Sequence, residues 1–120
     1  MKKTLLVVDD EIGVRTVLEH YLGEEYNVVS KENGFEAFEW ISAGNHPDLV
    51  LADIEMPKVD GFELLVQIRS NSELHRLPYL MVSGKNKQDN YVKSFKLGAN
   101  DYISKPFSAA EVKEKIHRYL

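Results

Sequence analysis

Five short apolar runs, each followed by a segment of helical period, are what most restrict how this 120-residue chain can fold. The runs cover residues 4–8, 26–30, 48–52, 77–82 and 101–104, and the helical segments cover 11–22, 34–43, 62–69, 88–97 and a last one opened by Ser108. On the first helix Val14, Val17, Leu18, Tyr21 and Leu22 recur at i, i+3, i+4 spacing, and Gly23 is placed to stop it. The same spacing turns Ala37, Phe38 and Ile41 inward on the second helix and Phe62, Leu65 and Val66 on the third. The fourth helix is weaker, with only Val92, Phe95 and Leu97 fitting the pattern and Gly98 ending it. Val112, Ile116, Tyr119 and Leu120 line the fifth, where Ser108 and Glu111 form a capping-box signature. The run at 48–52 is apolar throughout, as a strand covered on both faces should be. Strict alternation implies an α/β fold, a parallel sheet with helices on both faces joined by right-handed crossovers. A chain of this length is expected to form one domain, 1–120.

The polar residues that end these runs carry the chemistry. Leu5-Leu6-Val7-Val8 ends in Asp9-Asp10, Leu49-Val50-Leu51-Ala52 in Asp53, Tyr79-Leu80-Met81-Val82 in Ser83, and Tyr102-Ile103-Ser104 in Lys105-Pro106. In parallel α/β sheets ligands bind outside the carboxyl ends of the strands, where strand order switches. With the first and third strands adjacent, their ends lie about 5 Å apart. Carboxylates that close repel, so one takes up a proton or a cation joins them. An all-oxygen donor set suits Mg²⁺. Lys105 then supplies a point charge and Ser83 a hydroxyl for phosphate oxygens. Asp53 stands between the acidic pair and the lysine, where an aspartate can attack phosphorus to form an aspartyl-phosphate. Taken singly, each aspartate after a strand is more often a turn former or helix cap, with Asp9 or Asp10 as the first helix's N-cap, and Ser83-Gly84 alone reads as a turn. Their joint placement at four strand ends favours the phosphoryl site.

Composition narrows the classes. The absence of cysteine excludes disulfides and thiolate metal sites. A net charge of −4 argues against direct nucleic-acid binding by this domain. No apolar stretch approaches the roughly 18 residues of a membrane span, and the N-terminus lacks a signal-peptide core, so a cytoplasmic protein is expected.

The motif string Val7-Val8-Asp9-Asp10-Glu11, Asp53-Ile54-Glu55-Met56-Pro57-Lys58-Val59-Asp60-Gly61, Ser83-Gly84 and Gly98-Ala99-Asn100-Asp101-Tyr102 running into Lys105-Pro106-Phe107 resembles the response-regulator receiver family, the CheY-like domains of two-component signalling. The resemblance covers essentially the whole chain. It implies the flavodoxin-like sheet order 2-1-3-4-5. It implies that Asp53 accepts a phosphoryl group from a histidine kinase or histidine phosphotransfer protein, with Mg²⁺ (or Mn²⁺) as cofactor. Asp10 and Asp53 match direct metal ligands, Asp9 a ligand acting through water, and Glu55 a ligand through its backbone carbonyl. Ser83 matches the switch hydroxyl, Lys105 the phosphate-contacting lysine with a cis bond to Pro106, and Tyr102 the aromatic that turns inward when the hydroxyl moves. Gly61 matches the glycine that lets the acceptor loop close onto the third helix. The output leaves on the surface of the fourth helix, fifth strand and fifth helix, toward a partner or output domain. Such a domain promotes its own phosphorylation and dephosphorylation but is not a turnover enzyme.

Further expectations are specific to this chain. Glu55 and Lys85 are expected to approach across the mouth of the site as an exposed ion pair. Asp101 and Lys115 resemble part of the charge pattern of receivers that dimerise weakly through the output face, but Tyr91 stands where that pattern needs a cation. His20, His46, His75 and His117 lack metal-ligand spacing. Trp40, Tyr21, Phe35 and Phe38 read as core or rim packing. A haloacid-dehalogenase-like phosphohydrolase would need Asp-x-Asp after the first strand, which Asp9-Asp10-Glu11 does not provide. A flavin module would meet an acidic loop there. A receiver that no longer takes phosphate is disfavoured by the intact set of Asp10, Asp53, Ser83 and Lys105.

Overall fold

The computed structural model describes residues 2–84 and 88–120. Its elements run β1 (Thr4–Val8), α1 (Ile12–Leu22), β2 (Asn27–Lys31), α2 (Gly34–Ser42), β3 (Leu49–Ala52), α3 (Gly61–Arg69), β4 (Tyr79–Ser83), α4 (Gln88–Lys96), β5 (Asp101–Ser104) and α5 (Ala109–Tyr119). All four strand pairings are parallel, and the sheet order is β2-β1-β3-β4-β5. The expected architecture is therefore observed, with β2 and β3 one residue and β4 two residues later in the chain at their starts than the apolar runs suggested.

Alternation along the strands divides the core into two. Leu6, Val8, Val50, Ala52, Tyr79, Met81 and Tyr102 pack with α2 and α3 on one face. Leu5, Val7, Leu49, Leu51, Leu80, Val82 and Ile103 pack with α1 and α5 on the other. Adjacent strand residues point to opposite faces, so a sheet covered twice needs apolar residues at both parities.

Helix periodicity placed the stripes but overestimated their width. Val17, Tyr21 and Val66, expected inward, are 41%, 44% and 45% exposed. The buried stripes are instead centred on Leu18 and Leu22 in α1 and on Leu64, Leu65 and Ile68 in α3. Each misassigned residue sits one position, about 100° of helix rotation, from a stripe residue. Phe35 likewise lies on the surface, 47% exposed, with the Lys58 ammonium 5.8 Å from its ring centroid. Phe38 and Trp40 pack at the rim as expected.

Capping also departs from the expectation. Glu11, not an aspartate, holds the N-cap position of α1 and makes no side-chain cap bond. The Asp9 carboxylate instead accepts from the Glu11 N–H at 2.9 Å, closing the turn before the helix. The reciprocal capping box lies on α3, between Asp60 and Glu63. Ser108 accepts from the Glu111 N–H at 3.1 Å, as the α5 signature implies.

Arg69, at the end of α3, ties together three segments. It donates to the Gly98 carbonyl at 2.9 Å, the Leu77 carbonyl at 2.7 Å and Asn100 Oδ1 at 2.9 Å. Asn100 Oδ1 also accepts from the Tyr79 N–H at 2.9 Å. Gly98 adopts φ +104°, which L side chains avoid, and a Cβ there would come 3.0 Å from Arg69 Nε. This latch fixes the starts of β4 and β5, and with them the register that carries Ser83 and Lys105. Replacing Arg69 with Met should cost about 2–3 kcal/mol, because it removes charge-assisted bonds and leaves two carbonyls unpaired. Urea unfolding with an unchanged m-value is the check; a loss below 0.5 kcal/mol would contradict the latch.

Candidate functional site

The backbones of three site residues are held by ladder bonds that run one step beyond the strands. Asp9 N–H donates to the Lys31 carbonyl at 3.1 Å, Asp53 N–H to the Val8 carbonyl at 2.9 Å, and Lys105 N–H to the Ser83 carbonyl at 2.9 Å. Asp9, Asp53 and Lys105 each lie two residues past a member of the α1/α5 core face, namely Val7, Leu51 and Ile103. Ser83 and Tyr102 follow the opposite parity, that of Met81 and Tyr79. Two-residue periodicity therefore brings the lysine to the aspartates and the serine to the tyrosine.

The lysine ammonium lies 2.8 Å from Asp9 Oδ2, 3.4 Å from Asp53 Oδ2 and 3.5 Å from Glu11 Oε1. Carboxylate oxygens of Asp9, Asp10, Glu11 and Asp53 all fall within 4.8 Å of one another. Asp9 is only 2% exposed and lies beneath the site. Above it is a cleft of about 670 Å³ lined by Asp10, Glu11, Asp53, Glu55, Met56, Pro57, Asp60, Ser83, Gly84 and Lys105. Every predicted site residue is thus at this edge except Tyr102, which is 6% exposed and shares a hydrogen bond with the Ser83 side chain from the next strand. Its ring already points into the fold, edge-on to Tyr91 at 5.6 Å between centroids. Glu11 was not singled out in the sequence. Its place after the acidic pair at the same strand end was the available signal.

Burial and neighbouring charge act on both Asp53 and Lys105. Burial raises the Asp53 carboxyl to about 6, with the charge of Asp9 adding to it; the Lys105 ammonium and the Ile54 N–H, which donates to Asp53 Oδ1 at 2.7 Å, act against the rise. Lys105 is itself desolvated, which alone would lower its pKa, but its bond to Asp9 and the charges of Asp53, Asp9 and Glu11 raise it overall. The ammonium is held charged by the cluster that it offsets. An all-oxygen cluster with a surplus of negative charge suits a hard divalent cation, so these residues fit magnesium.

Gly61 closes the loop that follows Asp53. A Cβ there would collide with the Asp53 carbonyl oxygen, and the Tyr79 hydroxyl donates to the Gly61 carbonyl at 2.7 Å. The peptide bond between Lys105 and Pro106 is cis, as the resemblance implies.

The family model described as the response regulator receiver domain matches residues 5–117. This chain belongs to the response-regulator receiver family. The receiver is 36% identical over 121 residues to the alkaline phosphatase synthesis transcriptional regulatory protein PhoP of Bacillus subtilis, a match covering 100% of this chain and 49% of that protein. It thus spans about half the length of the curated relatives that it matches. A putative response regulator from Chloroflexus aurantiacus superposes with a TM-score of 0.94 at 33% identity, covering 99% of this chain and 98% of the other. The receiver domain of the sensor histidine kinase PA1611 from Pseudomonas aeruginosa, a structure with magnesium coordinated in its active-site cleft, gives 0.90 at 27% identity, covering 99% and 98%.

Other expectations fare variously in the receiver. The Glu55–Lys85 pair lies outside the described residues, because Lys85 is not among them. Lys115 and Asp101 pair within the chain at 3.1 Å. The Asp101 carboxyl is desolvated, but the Tyr102 N–H and Lys115 hold it below its ordinary value. No histidine joins a metal-type cluster among the described residues; His117 Nε2 lies 2.8 Å from Glu25 Oε2.

The raised Asp53 carboxyl has a thermodynamic consequence. The native state holds this proton more tightly than the unfolded chain does. The cost of ionising Asp53 in the fold therefore develops as pH rises from about 3.8 to about 6 and is fully present above that. Asp53→Asn should stabilise the protein in EDTA at pH 7.5 by about 1–2 kcal/mol, after allowance for water screening at the cleft mouth, and the gain should vanish near pH 4. Thermal unfolding across this range checks it; a gain that grows toward low pH would show the sign to be wrong.

Proposed function

We propose that this receiver accepts a phosphoryl group on Asp53 from a phosphohistidine of a histidine kinase or histidine phosphotransfer protein. The observation that carries the reading is the Asp53 carboxylate, buried at the floor of an acidic cleft with the Lys105 ammonium 3.4 Å away. Above pH 6 the carboxylate is largely ionised and can attack phosphorus. The P–O bond forms, the P–N bond breaks, and the donor ring, already protonated on its other nitrogen, leaves as neutral imidazole. Lys105 and Ser83 are placed to meet phosphoryl oxygens, and Asp9 holds the lysine from below. Asp10, Asp53 and the Glu55 carbonyl would hold magnesium or manganese, with Asp9 acting through water. The cation would neutralise charge on the transferring group. Water attack on the same phosphorus would later break its bond to the Asp53 oxygen, releasing inorganic phosphate and restoring the carboxylate. The domain then works as a switch and not as a turnover enzyme on an external substrate.

The output surface is read as α4-β5-α5. Tyr91 and Phe95 on α4 stack edge-on at 4.9 Å and are exposed, and Tyr91 touches Tyr102, the partner of Ser83. A phosphoryl group that draws the Ser83 hydroxyl would compete with that hydrogen bond and change what α4 presents to an output domain or partner protein. With Lys115 bonded within the chain and Tyr91 in place of a cation, any homodimer by this face would be weak. No helix among the described residues is long and apolar enough to cross a membrane, and we place the domain in the cytoplasm with its donor.

Incubation with acetyl phosphate and MgCl₂ should raise the intact mass by one phosphoryl group. EDTA or Asp53→Asn should abolish the rise, and Lys105→Ala should slow it by about 100-fold or more, the scale for losing a transition-state charge contact. An unmodified wild-type chain, or an Asp53→Asn chain that gains the same mass, would overturn the assignment.

A further inference from the structure

We propose that Arg15 is a positioning residue for the acidic pair, holding the turn after β1 in the shape that lets Asp10 and its neighbours receive a divalent cation. The inference rests on the phosphoryl-accepting reading and concerns a residue outside the cleft lining. Asp9 is fixed at four points. Its N–H donates to the Lys31 carbonyl at 3.1 Å, its Oδ1 accepts from the Glu11 N–H at 2.9 Å and its Oδ2 from Lys105 at 2.8 Å. The fourth point is its carbonyl, which accepts from Arg15 Nη1 at 2.7 Å. That carbonyl belongs to the planar peptide unit joining Asp9 to Asp10, so the bond sets the plane from which Asp10 departs.

Arg15 is built for this contact more than for its ion pair. Its side chain is 12% exposed, whereas Glu32, 3.9 Å from Nη2, is 65% exposed. The short charge-assisted bond is the strong one, and the long exposed pair contributes little. The Arg15 backbone sits one helical turn into α1, where its N–H donates to the Glu11 carbonyl at 3.2 Å, and the guanidinium reaches back to Asp9. Arg15 therefore connects the helix directly to the peptide at the strand end and gives the turn a rigid support.

The two roles open to Arg15 differ in sign. As a nearby positive charge alone it would repel a cation, and its removal would tighten magnesium binding. As a support its removal loosens the turn and weakens binding. Loss of an outer partner of a metal ligand typically costs tenfold or more in affinity.

The test is titration of the unphosphorylated full chain with MgCl₂, followed by calorimetry and by the rise in unfolding midpoint. Arg15→Met should bind magnesium about tenfold more weakly than wild type. Arg15→Lys, which can still donate to the carbonyl, should recover part of the loss, and Glu32→Gln should match wild type. Each variant's midpoint in EDTA fixes a working temperature at which it is folded, and Arg15→Gln gives the same reading if Arg15→Met unfolds. Unchanged or tighter binding in both uncharged variants, with wild type binding normally, would overturn the positioning role while leaving the functional reading intact. A wild-type chain that binds no magnesium would overturn the functional reading itself, and this inference with it.

Discussion

Three backbone hydrogen bonds, each one residue past the end of a strand, hold the site together. Through them Asp9, Asp53 and Lys105 are ordered by the sheet itself and not by loops. A ladder bond fixes a main-chain position to a fraction of an ångström, and the side chains need only reach a few ångströms further. The repulsion among four close carboxylates would otherwise open this edge. The Lys105 ammonium offsets it at 2.8 Å from Asp9 and 3.4 Å from Asp53. The lysine thereby links the end of β5 to the ends of β1 and β3, across the position of β4.

The same pleat separates the site into two halves. Asp9, Asp53 and Lys105 continue the α1/α5 face, and Ser83 and Tyr102 continue the α2/α3 face. The charge-handling half sits over a helix pair that buries Leu18, Leu22, Val112 and Ile116. The hydroxyl half leads to α4, whose one fully buried residue among those described is Ser94. That serine donates to its own helix, to the Asn90 carbonyl at 2.7 Å, and so brings a hydroxyl and not an apolar side chain to the buried face. An element with few buried apolar contacts costs little to displace. A division between a firmly hydrogen-bonded charge site and a helix with few buried apolar residues would suit the switch proposed above, because a population shift requires only a few kcal/mol of differential contact.

Much of this was legible before any coordinates. The alternation of runs and helical segments was enough for the parallel sheet, and the runs' last residues were enough for Asp9, Asp10, Asp53, Ser83 and Lys105. Strand parity was also available: counting by two from Val7, Leu51 and Ile103 leads to the three residues that meet. Other features were hidden for a physical reason. Val17, Tyr21 and Val66 are apolar and adjacent to the buried stripes, and hydrophobicity alone does not say how wide a stripe the neighbouring element covers. Arg69 and Arg15 carry no sequence signal that sets them apart from other helix charges, because their acceptors include backbone carbonyls and carbonyls have no sequence signature.

By itself the amino-acid order determined the fold class and which chemical groups gather at one edge, since periodicity and strand-end placement are local properties that survive without knowledge of neighbours. Only the tertiary structure decided how those groups share charge. Asp9 became the buried keystone bonded to lysine, Asp10 a residue of the cleft wall, and Asp53 a carboxyl lifted to about 6. Desolvation and Coulomb interactions depend on distances between segments dozens of residues apart, and those distances exist only once the sheet has closed.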